Sequence, residues 1–193
     1  MNRVNSFVVF DLSTDISIGS YVAAYADQPL GTYDLRTFED GEHKIRPLSD
    51  VSSKSVIVIC SLYSDDDRRV SEKLIQLFMF IGALKESGAR EVSLITPYLS
   101  FARKDRKSKF QDPLSSQYIA RLFEVMGISH MAAVDVHNIQ TFENSYRIPT
   151  THIETKLYVI DYLKSFILND RPVIMSPDSG GLKRAAAFAE AIA

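Results

Sequence analysis

The residues best equipped for chemistry lie in four short polar segments. In PYLSFARKDRKSK, at 97–109, Arg103, Lys104, Arg106, Lys107 and Lys109 place five cations in seven positions against one acid, Asp105. That density suits a polyanion such as a nucleotide triphosphate, and Tyr98 and Phe101 offer stacking surfaces for a base. A solvated charge run on a loop is the other reading of the same residues. VDVHN places Asp135 and His137 together, and SPDSGG places Asp178 ahead of Gly180 and Gly181. Magnesium prefers carboxylate oxygen, water and substrate phosphate and accepts an occasional imidazole, so an Asp and a His at strand ends suit a Mg–nucleotide. Taken alone, such a His is more often a hydrogen-bonding residue and such an Asp more often a helix cap. The glycine pair permits free N–H groups at a helix start, an anion site in principle. Finally, FEDGEHKIR gathers Phe38, Glu39, Asp40 and Glu42 around Gly41. Acids beside a ring suit a nucleobase amino group with the ring stacked on the base; a charged hairpin tip has the same composition.

The elements that must position these segments follow from periodicity. Short β-branched runs alternate with longer stretches of helical period, the pattern of an α/β fold: a mostly parallel, twisted sheet with helices on both faces. Strands are expected at Phe7–Asp11, Val56–Ser61, Val92–Thr96, Met131–Asp135 and Val173–Ser176. Weaker strand or hairpin signals occur at Tyr33–Phe38, His43–Pro47 and Thr151–Ile153. Val70, Leu74, Leu77, Phe78, Ile81 and Leu84 recur at helical steps, as do Ile119, Leu122, Phe123 and Met126. The second of these helices is expected to be capped by Asp112, with Pro113 at its first helical position. A third helix is expected from about Thr155 to Leu168, and an Ala-rich fourth opens at Gly180 and reaches the last residue. Repeats and flexible linkers are absent, so residues 1–193 read as one α/β domain. Ligands of open α/β sheets bind at the carboxyl ends of strands, where three of the four polar segments fall.

Composition narrows the function classes. With 193 residues, 46% apolar, 24% charged, a net charge of −2 and pI near 6.1, the chain has ample material for a core and no global attraction for nucleic acid. No apolar run approaches the roughly 20 residues that span a bilayer, so no membrane partner is expected. The lone Cys60, in the apolar run SVIVICSL, reads as a buried small hydrophobe, and with no secretory leader the expected location is cytoplasmic. No GxxxxGK[ST], GxGxxG or GxSxG pattern is present, which removes support for P-loop, dinucleotide-binding and α/β-hydrolase readings.

Taken in order, FEDGE at 38–42, ITPYLSFARKDRK at 95–107, DPLSS at 112–116, VDVHN at 134–138 and SPDSGG at 176–181 resemble ribose-phosphate pyrophosphokinase, with ALKESGA between two of them. The resemblance implies a phosphoribosyltransferase-like fold and Mg²⁺-dependent transfer of diphosphate from ATP to ribose 5-phosphate, giving phosphoribosyl diphosphate and AMP. It implies that Phe38 stacks on adenine while Asp40 and Glu42 hold the nucleotide, reaching from a neighbouring subunit, so that a homodimer or higher homo-oligomer is required. Arg103, Lys104, Asp105 and Arg106 match the family's ATP-binding segment, with Lys104 in place of the usual Gln. The family's metal-site His and Asp fall on His137 and Asp178. The family's catalytic lysine–arginine loop and ribose-phosphate loop follow SPDxGG. The chain is therefore expected to be an N-terminal, ATP-side half, its last helix cut short or leading into a C-terminal domain, with no catalytic residues of its own and little turnover in isolation. The alternative is a non-catalytic regulatory or assembly subunit of a full-length synthetase; a free-standing phosphoribosyltransferase is disfavoured by FEDGE and RKDR. The acids Asp65, Asp66 and Asp67 have no role in that resemblance.

Overall fold

The computed structural model describes residues 7–13, 18–167 and 173–192. In chain order the elements are β1 (Phe7–Asp11), α1 (Ile18–Tyr25), β2 (Tyr33–Thr37), β3 (His43–Pro47), β4 (Ser55–Ile59), α2 (Val70–Glu86), β5 (Glu91–Thr96), α3 (Ser115–Met126), β6 (His130–Val134), α4 (Ile139–Ser145) and β7 (Thr150–Ile153). They form a first compact unit that ends at Ile153. From Glu154 a second unit contains α5 (Lys156–Ile167), a 3₁₀ turn (Ser179–Gly181) and α6 (Leu182–Ile192). Leu168 and Ala193, expected to end these two helices, lie outside the described residues. No described helix is long and apolar enough to cross a membrane.

Five strands pair in parallel in the order β1-β4-β5-β6-β7, so each neighbour in space is also the next main-sheet strand in sequence. Side chains alternate across a strand, and this splits the core. Val8, Phe10, Val56, Val58, Val92 and Leu94 face α2 and α3, where Leu77, Ile81, Leu84 and Phe123 are fully buried. Val9 and Ile59 face the other way, toward Ala23 of α1. Helices thus cover both faces, as expected. Phe80 of α2 anchors one end, with Phe10 edge-on at 5.1 Å and Tyr33 at 5.6 Å between ring centroids.

The β2–β3 hairpin forms its own antiparallel sheet, with Tyr33 opposite Pro47 and Thr37 opposite His43. Two strands alone are marginal in water. This pair is held because Ile45 is buried in the main core and Tyr33 and Leu35 pack against it. The 60–69 loop after β4 folds back on the start of α2. There Lys73, only 3% exposed, pairs with Asp65, whose carboxylate also accepts the backbone N–H groups of Asp67 and Arg68.

Three expectations are corrected. Val173–Ser176 is not a strand among the described residues: Val173 and Met175 are each 82% exposed, and the run has no pairing partner. An apolar triplet without a neighbour to hydrogen-bond cannot make a strand. Asp112 does not cap α3, which starts at Ser115 with Leu114 as its cap residue and no side-chain cap. Its carboxylate is engaged by Lys104 and the amides of Ser108 and Lys109 instead. Leu122 keeps the helical phase but faces outward at 47% exposure, while Ala120 and Phe123 carry the buried face.

Candidate functional site

The carboxyl ends of β5 and β6 carry two of the polar segments, and the structure joins them. After β5, Tyr98 lies edge-on to Tyr63 at 5.6 Å, and its carbonyl accepts the N–H of Leu62. Phe101, at φ 57°, turns the chain back, and the cations follow. Lys104 is committed within the loop: its Nζ donates to Asp112 at 2.5 Å, and its carbonyl accepts from Ser116 Oγ. The bond from Lys104, with the amides of Lys109 and Ser108, holds the Asp112 carboxyl below its ordinary value of 3.8. Arg103 is exposed and makes only a long 3.5 Å contact with the Tyr98 hydroxyl. Arg106, Lys107 and Lys109 face solvent without a carboxylate partner among the described residues. The loop thus spends one cation on its own shape and leaves the others outward.

After β6, Asp135 takes a left-handed φ of 42°, and its N–H donates to the carbonyl of Ile153. Val136 is buried, His137 is exposed, and Asn138 opens α4. The Asn138 side chain works at both ends. Its oxygen accepts from Thr141 N as a cap, and its Nδ2 donates to Asp105 at 2.9 Å. This bond ties the Arg103–Arg106 loop to the residue beside His137. Asn138 was not singled out from sequence; its signal was Asn three residues before Thr141 at a helix start. Beneath the joined loops lies a cavity of about 20 Å³ bordered by Ser100, Ile119, Val136 and Phe142, room for about one water. The Ser100 hydroxyl is buried there without a partner. Nearby, burial and then the Glu124 carboxylate raise the Tyr146 hydroxyl far above its usual range.

Phe38, Asp40 and Glu42 occupy the tip of the β2–β3 hairpin, where residues 38–42 are all exposed. Gly41, at φ 88°, closes the turn, with Phe38 N donating to the Glu42 carbonyl and Glu42 N to Asp40 Oδ1. The Arg36 guanidinium stands 5.1 Å over one face of the Phe38 ring. Arg36 and Phe38 share a face because they are two residues apart on an extended strand, a signal legible in the sequence. No hydrogen bond or ion pair among the described residues links this tip to the Arg103–Arg106 loop.

Asp178 lies in the second unit, where its Oδ1 accepts the Gly181 N–H at 2.9 Å and caps the 3₁₀ turn. That N–H is therefore taken, against the expectation of a free one at the glycine pair. No group of three or more His, Cys, Asp or Glu side chains among the described residues forms a metal cage.

Residues 7–127 match the N-terminal domain of ribose phosphate pyrophosphokinase. The chain belongs to this family. Ribose-phosphate pyrophosphokinase of Fusobacterium nucleatum is 32% identical over 191 residues, which cover 98% of this chain and 59% of that protein. Ribose-phosphate pyrophosphokinase 1 of Streptococcus agalactiae is 30% identical over 185 residues, 95% of this chain and 56% of the relative. The crystal structure of phosphoribosylpyrophosphate synthetase from Mycobacterium smegmatis superposes with a TM-score of 0.88 at 24% identity, covering 97% of this chain and 61% of that one, and shares the fold. The chain therefore spans under two thirds of the length of these ribose-phosphate pyrophosphokinase relatives.

Proposed function

We propose that this chain supplies the ATP-binding side of a ribose-phosphate pyrophosphokinase, the enzyme that moves diphosphate from ATP to ribose 5-phosphate. The observation that carries the proposal is the Asp105–Asn138 hydrogen bond, which unites the cationic loop and the His137 loop at the carboxyl ends of adjacent parallel strands. Diphosphoryl transfer demands little covalent work from a protein; it demands charge neutralisation and in-line placement. Arg103 and Arg106 are the free guanidinium groups, able to fix phosphate oxygens by paired donors. Lys104 contributes through Asp112, by shaping the loop. Asp105 is a brace, since its carboxylate is held by Asn138. His137 would ligate Mg²⁺, which arrives on the nucleotide and neutralises phosphate charge there; Asp178, in the second unit, is a candidate ligand by the resemblance alone. Phe38 has one face backed by Arg36 and offers the other to adenine, with Asp40 and Glu42 beside it. Presented to a neighbouring copy, this tip completes the site, so the active assembly is at least a homodimer. The hydroxyl of ribose 5-phosphate attacks and AMP leaves; the resemblance assigns the cations that stabilise that transfer and the cradle for ribose 5-phosphate to loops that follow SPDxGG in the family.

The test is Mg²⁺-dependent ATP binding by calorimetry, with oligomeric state recorded, on the native chain and on Arg103→Ala. Loss of one charge-assisted contact weakens binding by about tenfold or more. A folded chain that binds no ATP overturns the reading and favours an assembly subunit for a complete synthetase.

A further inference from the structure

The hairpin tip extends past the last paired residues, Thr37 and His43, and its grip on the body close to the tip is polar. His43 is drawn in, its side chain 11% exposed, with Nε2 3.4 Å from Glu72 Oε1 on α2 and Nδ1 3.1 Å from the Thr37 hydroxyl. A neutral imidazole satisfies both contacts at once, donating through Nε2 and accepting at Nδ1. The same Glu72 oxygen accepts from Gln76 Nε2 at 3.3 Å, one helical turn on. Gln76 is 1% exposed, and its oxygen accepts from Arg68 Nη1 at 2.8 Å. Arg68 Nη2 in turn donates to the Leu12 carbonyl, just past β1, at 3.1 Å. Arg68 itself is set by its backbone N–H on Asp65, the carboxylate paired with buried Lys73. A continuous line of polar contacts thus runs from the hairpin tip through α2 to the carboxyl end of β1.

We infer that Glu72, Gln76 and Arg68 are positioning residues for the hairpin tip, holding Phe38, Asp40 and Glu42 in register through His43. The inference rests on the reading of that tip as a nucleotide contact and deepens it: the acid-rich 64–69 loop, otherwise without a role, sets the geometry of a site it does not touch. A buried Gln between two charged groups can keep both amide ends satisfied in one orientation only, so each link fixes the next. A purely structural loop would stabilise α2 locally and leave the tip indifferent.

The test uses the full chain and amide hydrogen exchange at Phe38 and Gly41, whose N–H groups bond within the tip, with Leu48 at the opposite end of the hairpin as the internal reference. Glu72→Ala and Arg68→Met each speed exchange at Phe38 and Gly41 by about fivefold to tenfold, and leave Leu48 unchanged. Glu72→Gln, which keeps an acceptor for Gln76, restores most of the protection. The Glu72→Ala/Arg68→Met double variant matches the larger single effect, as links in series require. Additive effects, or a folded Arg68→Met chain with native exchange at the tip, overturn the inference. Glu72 is one-third exposed, so Glu72→Ala and its Gln rescue decide the matter if Arg68→Met does not fold. The exchange readout needs no ligand. Mg–ATP titrations run in parallel fail on the native chain if the nucleotide reading is wrong, and weaken selectively in Glu72→Ala if both readings hold.

Discussion

Replacing Asp65 by Asn isolates the energetic role of the buried ion pair. The amide keeps an oxygen for the Asp67 and Arg68 N–H groups, so the main loss is the negative charge facing Lys73. Lys73 is 3% exposed, in the first turn of α2. An orphaned buried charge costs about 3–5 kcal/mol, and partial exposure of Asp65 places this case at the low end, about 3 kcal/mol. For a chain of this size that lowers Tm by about 6–12 °C. Lys73→Met alone strands the carboxylate, which is 14% exposed and better hydrated, and costs less. The double variant, with neither charge and an apolar chain in the ammonium channel, regains about 2 kcal/mol relative to additivity. Urea unfolding followed by circular dichroism and tyrosine fluorescence measures all four corners of the cycle; nine tyrosines and no tryptophan make the second probe usable. The midpoint moves and the slope does not. Additive single costs, or an Asp65→Asn chain as stable as the native one, refute the view that this pair is buried and coupled.

Two further outcomes follow from the titrating groups. Burial pushes the Cys60 thiol up to about 12, so it resists a disulfide reagent at pH 8 in the folded chain and reacts fully once unfolded; rapid reaction of folded protein would contradict its place in the core. The Asp112 carboxyl is held below 3.8, so its stabilising contribution is complete above the ordinary carboxylate range and is lost as pH falls through the lowered value. Protection of the Ser108 and Lys109 amides, taken relative to the intrinsic exchange rate at each pH, should hold through the ordinary carboxylate range and fall only below it, with Asp112→Asn less protected throughout. A loss of protection centred above that range would reverse the sign of that argument.

The main-sheet strands were legible because parallel sheets bury both faces and so write continuous apolar runs: FVVFD coincides with β1. HKIRP, a weaker hairpin signal, coincides with β3 of the antiparallel pair. The same rule misled at Val173–Ser176, where composition matches a strand and no pairing partner occurs among the described residues. Helices α1 and α4 escaped the periodicity reading because eight and seven residues are too few turns to display one, and IGSYVAAY is apolar almost all round. At the candidate site the residue types could be read, and their commitments could not. Whether Asp112 caps the helix after it or Lys104 before it depends on a loop returning on itself. Whether Lys104 faces a ligand or a carboxylate is settled by that same return. Asn138, Glu72 and Gln76 are ordinary in sequence and acquire roles only from what tertiary folding sets beside them.

The strand order carries a consequence for how the molecule comes into being. Because β4, β5, β6 and β7 are laid down side by side in the order in which they are synthesised, each can dock on a finished neighbour as soon as its connecting helix has formed. β1 is the exception. Made first, it has only the single parallel bridge from Val9 to Leu30 until β4 arrives with Ser55 beside Phe7. Growth of the sheet on the ribosome therefore begins with a strand tied at one edge by a single bridge, and the closing of its other edge against β4 is the longest-range strand pairing on which every later strand builds.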